Sequence, residues 1–257
     1  FLMDIKRIPV PKGENNQEIL HQLKEIITKN DIAGFIYEPL VQGAAGMKIH
    51  EAADLNEILK FCKENNILTI ADEVMTGFGK TGNNFASDEV TTKPDIICLS
   101  KALTGGLVPM AITSCTEKIY STFLSNDIAK GFFHCHTYSA NPIACSAALA
   151  SIELLQTKEI QDSIQFISAS HKTFEAQIKN HPKVANTREK GVILAIDLKT
   201  NAGRYGTLRD QLLKHFMNDG VFLRPLGNTI YIQPPYVITK EQLQKVYATI
   251  EKVLDIF

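Results

Sequence analysis

The chain has 257 residues, a formal net charge of −1 and a hydrophobic fraction of 44%. A chain of this size can form one large or two modest hydrophobic cores. Its balanced charge does not indicate binding to nucleic acid or to an anionic membrane. No stretch approaches the roughly 18 consecutive apolar residues that a membrane helix needs. The 5 cysteines form no CxxC pair, which favours a reduced, cytoplasmic setting.

The first 156 residues alternate between helical and strand patterns. In chain order, apolar spacing predicts a helix over 17–29, a strand over 32–37, a helix over 51–66, strands over 67–71, 95–99 and 110–114, and a helix over 142–156. The apolar run at 67–71 is typical of a sheet covered on both faces. Strands separated by helices predict a mostly parallel, doubly wound α/β sheet. The first strand is expected to be internal, so we expect the N-terminal part of this domain to be absent.

The pattern changes after residue 156. A long polar helix is predicted over 158–180, followed by strands over 192–198, 221–224 and 229–232 and helices over 206–219 and 239–256. This order is typical of a smaller α+β unit. The sequence therefore predicts part of a large domain over 1–156 and a small C-terminal domain over 157–257.

An acid and a lysine follow neighbouring predicted strands. Asp72 comes directly after the strand 67–71, and Lys101 follows the strand 95–99. Ligands of parallel α/β sheets bind beyond the carboxyl ends of the strands, so the two side chains can face one cavity. A nucleophilic lysine needs a lowered pKa, which apolar burial would supply. The plainer interpretation stays open here: Asp72 caps the next turn and Lys101 is a surface cation.

A metal site is the main alternative for the sulfur- and imidazole-bearing residues. His134, Cys135 and His136 alternate along the chain, and Cys145 follows nine positions after His136. Ligands that alternate on a strand or loop diverge, and no HExxH motif is present. We therefore expect no metal.

Three segments together resemble a known signature. DEVMTGFGKTG at 72–82, PDI at 94–96 and SKALTGG at 100–106 are similar to the signature of the class III aminotransferases of fold type I, which use pyridoxal phosphate (PLP). The resemblance covers essentially the whole chain. It implies a fold type I large domain that lacks here its N-terminal phosphate cup, followed by a small α+β domain.

The resemblance also implies roles for individual residues. Lys101 would be the Schiff-base lysine that holds PLP and then moves a proton, and Asp72 would keep the pyridine nitrogen protonated. Val74 would pack on the cofactor ring. Thr137 would bond the phosphate of the neighbouring subunit's cofactor, which implies a homodimer. A local hydroxyl turn before the following helix is the plainer interpretation of Thr137.

Within the family, two segments resemble the branch that aminates 8-amino-7-oxononanoate to 7,8-diaminopelargonate in biotin synthesis. They are EPLVQGAAGM at 38–47 and FLRPLGNTIYIQPPY at 222–236. Ala44 stands where ornithine-type relatives carry a glutamate that pairs with a substrate-binding arginine. Arg224 would bind a substrate carboxylate bidentately, with Tyr231 near the same pocket, although a surface arginine is the plainer interpretation of Arg224.

Two departures from the branch leave the amino donor open between adenosylmethionine and lysine. Cys135 and His136 change the loop around Thr137, and Lys80 stands where many members carry arginine. Another class III enzyme acting on an ω-amino acid or amine is the alternative function. A catalytically incompetent fragment of such an enzyme is the third hypothesis.

Overall fold

The computed structural model describes residues 4–200 and 206–256. The strands are β1 (Gly34–Tyr37), β2 (Val41–Gln42), β3 (Lys48–Ile49), β4 (Leu68–Asp72), β5 (Ile96–Leu99), β6 (Ile112–Cys115), β7 (Val184–Lys190), β8 (Ile193–Leu198) and β9 (Thr229–Ile232). The helices are α1 (Asn16–Lys29), α2 (Ala52–Glu64), α3 (Glu117–Tyr120), α4 (Pro142–Leu155), α5 (Lys158–Ile178), α6 (Thr207–Asn218) and α7 (Lys240–Ile256). None of the helices in these ranges is long and apolar enough to cross a membrane.

The chain divides into two compact units. The first unit contains the chain up to Leu40 and the segments His50–Phe78 and Phe85–Glu153. The second unit contains Val41–Ile49, Gly79–Asn84 and the chain from Leu154 onward. The predicted domains 1–156 and 157–257 remain a proposal for the complete protein.

The first unit is built on a mostly parallel sheet in the order β1-β4-β5-β6. β1, β4 and β5 run parallel, and β6 is antiparallel to β5. The predicted α/β class is confirmed. Among the described residues β1 is an edge strand, and Ile36 is 63% exposed. The internal position expected for this strand in a complete domain stays a prediction.

Helices α1 and α2 cover one part of the first unit's core. Ile19 and Leu23 of α1 pack with Ile58 and Cys62 of α2, which explains the helical spacing of these residues. Cys62 is fully buried, and this burial raises the pKa of its thiol to about 11. The residue therefore behaves as a small hydrophobic side chain.

The region around α3 and α4 has an unusually apolar surface. Between residues 107 and 149 the large exposed side chains are Leu107, Ile112, Tyr120, Phe123, Leu124, Ile128, Phe132, Phe133, Tyr138, Ile143 and Leu149. We call residues 107–149 the exposed apolar segment. Phe133 is 71% and Tyr138 73% exposed, which is far from the burial that large aromatic side chains normally reach.

The second unit contains the antiparallel sheet β7-β8-β9 with helices on one face. The buried side chains between this face and helices α5, α6 and α7 are Leu194, Ile196, Ile230, Ile232, Phe174, Leu212, Phe216, Ile250 and Val253. Alternate residues of a strand point to opposite faces. Arg188, Asp197 and Tyr231 therefore lie on the other face of the sheet.

One prediction for the second unit is wrong, and one strand was missed. The stretch 221–224 is not a strand, although Val221 and Leu223 are buried and alternate with exposed neighbours. Pro225 has no N–H to donate to a ladder, and the chain turns back in the bridge between Leu226 and Thr229. Conversely, β7 was not predicted, because its sequence VANTREK is mostly polar.

Candidate active site

The structure brings Asp72 and Lys101 to one edge of the first unit's sheet. β4 ends at Asp72, which pairs with Cys98 of the parallel neighbour β5. Lys101 follows three residues later, just beyond the end of β5. Both side chains therefore come from the carboxyl end of the sheet, where parallel α/β folds bind ligands.

Asp72 combines a local contact with a free acceptor. Its Oδ1 accepts a hydrogen bond from the backbone N–H of Val74 at 3.0 Å. Within the described residues its Oδ2 makes no hydrogen bond, and the residue is half-buried. The turn contact expected of a plain structural aspartate thus exists, but it leaves one carboxylate oxygen for a ligand. Val74, which is also half-buried, is held beside it.

Lys101 has an uncommon backbone conformation. Its φ of 47° lies in the left-handed region, which residues with a Cβ seldom adopt outside turns and functional sites. Its side chain is exposed and forms no ion pair with the residues that the structure describes. The apolar burial expected around Lys101 is therefore not found among the residues that the structure describes.

Hydroxyl groups fix the turn that follows Lys101. Ser100 Oγ donates to the carbonyl of Met110 at 2.7 Å, and Thr104 Oγ1 donates to the carbonyl of Val108 at 2.6 Å. Gly105 then has a φ of 62° and ends the turn without steric cost. These contacts hold the backbone on both sides of the lysine.

Glu73 is a site residue that sequence reasoning missed. Its carboxylate is fully buried and accepts three hydrogen bonds: from Thr76 Oγ1 at 2.7 Å, from the N–H of Ala86 at 3.0 Å and from the N–H of Ser87 at 2.7 Å. It thereby closes the long loop after β4 back onto the strand end. Its place directly after Asp72 was the only sequence signal.

Thr137 lies in the exposed apolar segment, in the turn before α4. The turn is made by other residues: the N–H of His136 donates to Ser139 Oγ at 3.2 Å, and Asn141 Oδ1 accepts from the N–H of Ile143 at 2.9 Å. The Thr137 hydroxyl is exposed and makes no hydrogen bond among the described parts of the chain. The local-turn interpretation of Thr137 is therefore unsupported.

Arg224 and Tyr231 belong to the second unit. Arg224 is exposed between the buried Leu223 and Pro225, and its guanidinium makes no ion pair with any residue in the described ranges. Tyr231 is half-buried on β9 and pairs with Ala195 of β8. Arg224 thus lacks a counter-ion among the described residues, which suits the binding of a substrate carboxylate.

Lys80, which replaces a common arginine, also lies in the second unit. Its Nζ stands 4.2 Å from the centre of the Tyr236 ring, a cation–π distance. Burial lowers the pKa of Lys80 to about 8. The side chain is therefore a half-buried structural contact of the loop 79–84 within this unit.

The exposed His134, Cys135 and His136 form no cluster. The ranges 4–200 and 206–256 contain no group of three or more histidine, cysteine or acidic side chains that could share a metal ion. All five cysteines are free thiols.

Comparison with known proteins gives the family. The family described as aminotransferase class-III matches residues 1–254, so the chain belongs to the class-III aminotransferases. Among curated proteins, it is 42% identical to an adenosylmethionine-8-amino-7-oxononanoate aminotransferase of Synechococcus elongatus, over 99% of this chain and 62% of the relative. The protein of that name from Staphylococcus aureus is 35% identical, over 95% of this chain and 55% of the relative.

Solved structures agree with this family. The adenosylmethionine-8-amino-7-oxononanoate aminotransferase of Methanocaldococcus jannaschii matches with a TM-score of 0.82 and 32% identity, over 91% of this chain and 57% of that one. A PLP-bound amine transaminase from an uncultivated Pseudomonas species matches with a TM-score of 0.85 and 28% identity, over 93% and 56%. The chain thus spans 55–62% of the length of the two curated relatives.

Proposed function

We propose that the complete protein is a PLP-dependent transaminase that converts 8-amino-7-oxononanoate into 7,8-diaminopelargonate for biotin synthesis. The observation that carries the proposal is the placement of Asp72 and Lys101 at the same edge of a parallel sheet. The names of the two curated relatives and of the Methanocaldococcus structure support the choice of substrate. The free cysteines agree with a reducing, cytoplasmic setting.

The residues present fit PLP chemically. Lys101 offers an exposed primary amine that can form a covalent link to the cofactor's aldehyde, and the open oxygen of Asp72 can accept a hydrogen bond from a protonated ring nitrogen. Val74 would contact the ring. When bound, PLP supplies an electron sink for the carbon that loses its proton.

The chain's own residues then supply the proton chemistry. Asp72 is held by the N–H of Val74, so its charge stays fixed where a ring proton needs stabilisation. Lys101 Nζ is a primary amine that could take up a proton and deliver it to a nearby atom. Glu73 fixes the loop that carries Val74.

Substrate recognition is proposed to depend on Arg224 and Tyr231. The acceptor is a mostly apolar keto-amine that ends in a carboxylate, so it needs one remote cation and methylene contacts. Arg224 has no acidic partner within the described chain, and its planar guanidinium can bind a carboxylate bidentately. Ala44 cannot supply the competing carboxylate that ornithine-type relatives place there.

We further propose that the complete protein is a homodimer in which Thr137 reaches the partner's cofactor phosphate. The exposed apolar segment contains more large uncovered hydrophobic side chains than isolated soluble proteins normally show. Thr137 and its unbonded hydroxyl lie within this segment. A second subunit covering the segment would bury it and bring the hydroxyl to an interface.

A second candidate function is amine or ω-amino acid transamination. The similarity to the Pseudomonas amine transaminase favours it, whereas the more identical curated relatives favour the oxononanoate. The proposed donor is adenosylmethionine or lysine. Single-turnover assays separate these reactions: conversion of the pyridoxamine form by 8-amino-7-oxononanoate supports the first, and reaction with pyruvate alone supports the second.

Covalent labelling tests the cofactor assignment in the complete protein. Borohydride reduction followed by peptide mapping is expected to place the pyridoxyl group on the peptide that contains Lys101. A Lys80→Arg variant, which removes the half-buried second lysine of the signature, should leave the label unchanged. Label on a different lysine, or no visible absorption from bound PLP, would overturn the proposal; the second result would support a catalytically incompetent protein.

A further inference from the structure

The hairpin of β2 and β3 has a tight turn at residues 43–47, which we call the 43–47 turn. The N–H groups of Gly46 and Met47 both donate to the carbonyl of Gly43, each at 3.2 Å. The turn contains Ala44, the position at which, by the resemblance described above, the oxononanoate branch differs from ornithine-type relatives. It belongs to the second unit, and its own few hydrogen bonds would not fix its placement there.

Arg188 on β7 holds this turn by its backbone. Its Nε donates to the carbonyl of Met47 at 2.7 Å, and its Nη2 donates to the carbonyl of Gly46. The same guanidinium binds Asp197 on β8 bidentately, with Nη1–Oδ2 at 2.5 Å and Nη2–Oδ1 at 3.0 Å. The planar group thus uses one side for the carboxylate and the other for the turn, which a lysine ammonium cannot reproduce.

The pair is well shielded and connected to β9. The side chains of Arg188 and Asp197 are only 14% and 24% exposed, so their interaction is less screened than that of a surface ion pair. Asp197 Oδ1 also accepts a hydrogen bond from Thr229 Oγ1 at 2.7 Å. A Cβ added to Gly46, whose φ is +93°, would lie 3.5 Å from that hydroxyl oxygen. The turn therefore packs directly against the start of β9.

Strand register places the proposed substrate residue Tyr231 on the same face. Ala195 of β8 pairs with Arg188 on one side and with Tyr231 on the other. Asp197 pairs with Thr229, two residues from Tyr231. Because residues i and i+2 of a strand share a face, these five side chains and the 43–47 turn lie on one side of the sheet, opposite the helices.

The base of the hairpin is fixed separately. In the first unit, the N–H of Leu40 donates to Nε2 of His50 at 3.1 Å, and the N–H of His50 donates to the carbonyl of Leu40 at 3.0 Å. His50 is buried. The segment between them is therefore closed at its base, and loss of the Arg188 contacts would free the turn without releasing the whole hairpin.

We propose that Arg188, held by Asp197, is a positioning residue that sets the location of the 43–47 turn and thereby the selectivity for the amino acceptor. The proposal rests on the proposed transaminase function. Arg188 does not contact the substrate; it acts on acceptor binding by holding the carbonyls of Gly46 and Met47. Loss of the contacts should weaken acceptor binding and leave the cofactor chemistry intact.

The test compares two arginine-to-lysine changes in the complete protein. Arg188→Lys keeps a charge for Asp197 but loses the forked contacts, whereas Arg209→Lys alters an exposed pair with Asp210 on α6. Hydrogen exchange of a peptide covering residues 41–49 is expected to rise in the first variant only. The KM for 8-amino-7-oxononanoate should rise about tenfold or more, with kcat changed much less. Asp197→Asn should give the same pattern.

The outcomes separate this proposal from the proposed function. Unchanged exchange and kinetics in both Arg188→Lys and Asp197→Asn would overturn the positioning role. Faster exchange with an unchanged KM would overturn the link to selectivity. A fall in kcat together with loss of bound PLP would also overturn it, because the effect would then be structural. If the wild-type protein converts pyruvate but not the oxononanoate, the proposed function fails, and the KM comparison is made with pyruvate.

Discussion

Asp72 and Glu73 are adjacent in the chain, but their carboxylates have opposite environments. Glu73 is fully buried, and both of its carboxylate oxygens accept hydrogen bonds. Two of these hydrogen bonds come from backbone N–H groups of the loop after β4. Asp72 is half-buried, and among contacts with the described residues only one of its oxygens is engaged, by the N–H of Val74. The first acid therefore has acceptor capacity for a ligand, and the second fixes the backbone around it.

Asp72→Asn should cripple transamination and spare attachment of PLP to Lys101. An amide has no negative charge to hold the proposed ring proton, so the electron sink is lost. Loss of such a contact in a site closed to water costs several kcal/mol, or on the order of a thousandfold in rate. Single-turnover rates, with absorption spectra to verify bound PLP, check the prediction. Near-normal turnover would show that Asp72 does not have this role.

Glu73→Gln should destabilise the protein through its loop. Glu73 accepts hydrogen bonds from three donors, and the NH2 group of a glutamine would face at least one of them. That buried donor would lose its acceptor, which costs about 1–3 kcal/mol of stability. The midpoint of urea unfolding measures this change. Glu64→Gln is the matched control, because that side chain is 62% exposed and its contact with Lys60 is long, at 3.9 Å. Equal midpoints for the two variants would contradict the buried role.

The alternating pattern of the sequence predicted much of the first unit. Helix 17–29 is confirmed as Asn16–Lys29 and strand 67–71 as Leu68–Asp72, because local apolar spacing reflects which face of an element is buried. The strand ends then placed Asp72 and Lys101 together. The exposure of β1 and of Lys101 could not be predicted from this pattern, since it depends on which other parts of a protein cover them.

Contacts between distant residues could not be predicted from the pattern. Arg188 binds the carbonyl of Met47, which is 141 positions away, and neither residue's neighbourhood in sequence indicates the other. β7 was missed because its side chains are polar on both faces: Arg188 binds the 43–47 turn, and Thr187 donates to Glu175 of α5. The stretch 221–224 showed strand-like alternation, and only its lack of a pairing partner distinguishes it from a strand.

Mixed dimers should reveal whether Thr137 acts across a subunit interface. A Lys101→Ala subunit and a Thr137→Ala subunit should each form impaired homodimers. In a heterodimer, one site would keep its own Lys101 and receive Thr137 from the partner, so part of the activity should return. Differently tagged subunits allow the heterodimer to be purified and assayed against both homodimers. Heterodimers without restored activity would indicate that Thr137 acts within its own subunit or has no role.

Arg224→Ala should weaken both half-reactions of the transamination. The acceptor and an amino acid donor both contain a carboxylate and bind in turn, and Arg224 has no internal acid to neutralise it within the described chain. If bound substrate shields the pair from water, removing one partner costs roughly 2–5 kcal/mol. Single-turnover rates with 8-amino-7-oxononanoate measure the acceptor half-reaction. Rates with adenosylmethionine and with lysine measure the donor half-reaction. Arg209→Ala, which removes an arginine of α6 that pairs with its neighbour Asp210, should leave both half-reactions unchanged. An effect confined to one half-reaction would limit the role of Arg224 to that substrate.

Acidification should destabilise the second unit through His171. This fully buried residue contacts Tyr247 Oη through Nδ1 at 2.7 Å and the carbonyl of Val192 through Nε2 at 3.1 Å. Because a carbonyl can only accept, Nε2 carries the proton and Nδ1 accepts from the tyrosine hydroxyl. Burial lowers the pKa of His171 from 6.5 to about 4. Between pH 6.5 and 4 the unfolded chain binds more protons than the folded one. The free energy of unfolding is therefore highest above pH 6.5 and decreases by about 3 kcal/mol as the pH falls to 4.

Hydrogen exchange of the β8 amides, corrected for the intrinsic effect of pH, measures this loss of stability. His171→Gln should flatten the dependence, and a change of the exposed His21 to Gln should not; the same slope in all three proteins would rule out His171 as its source.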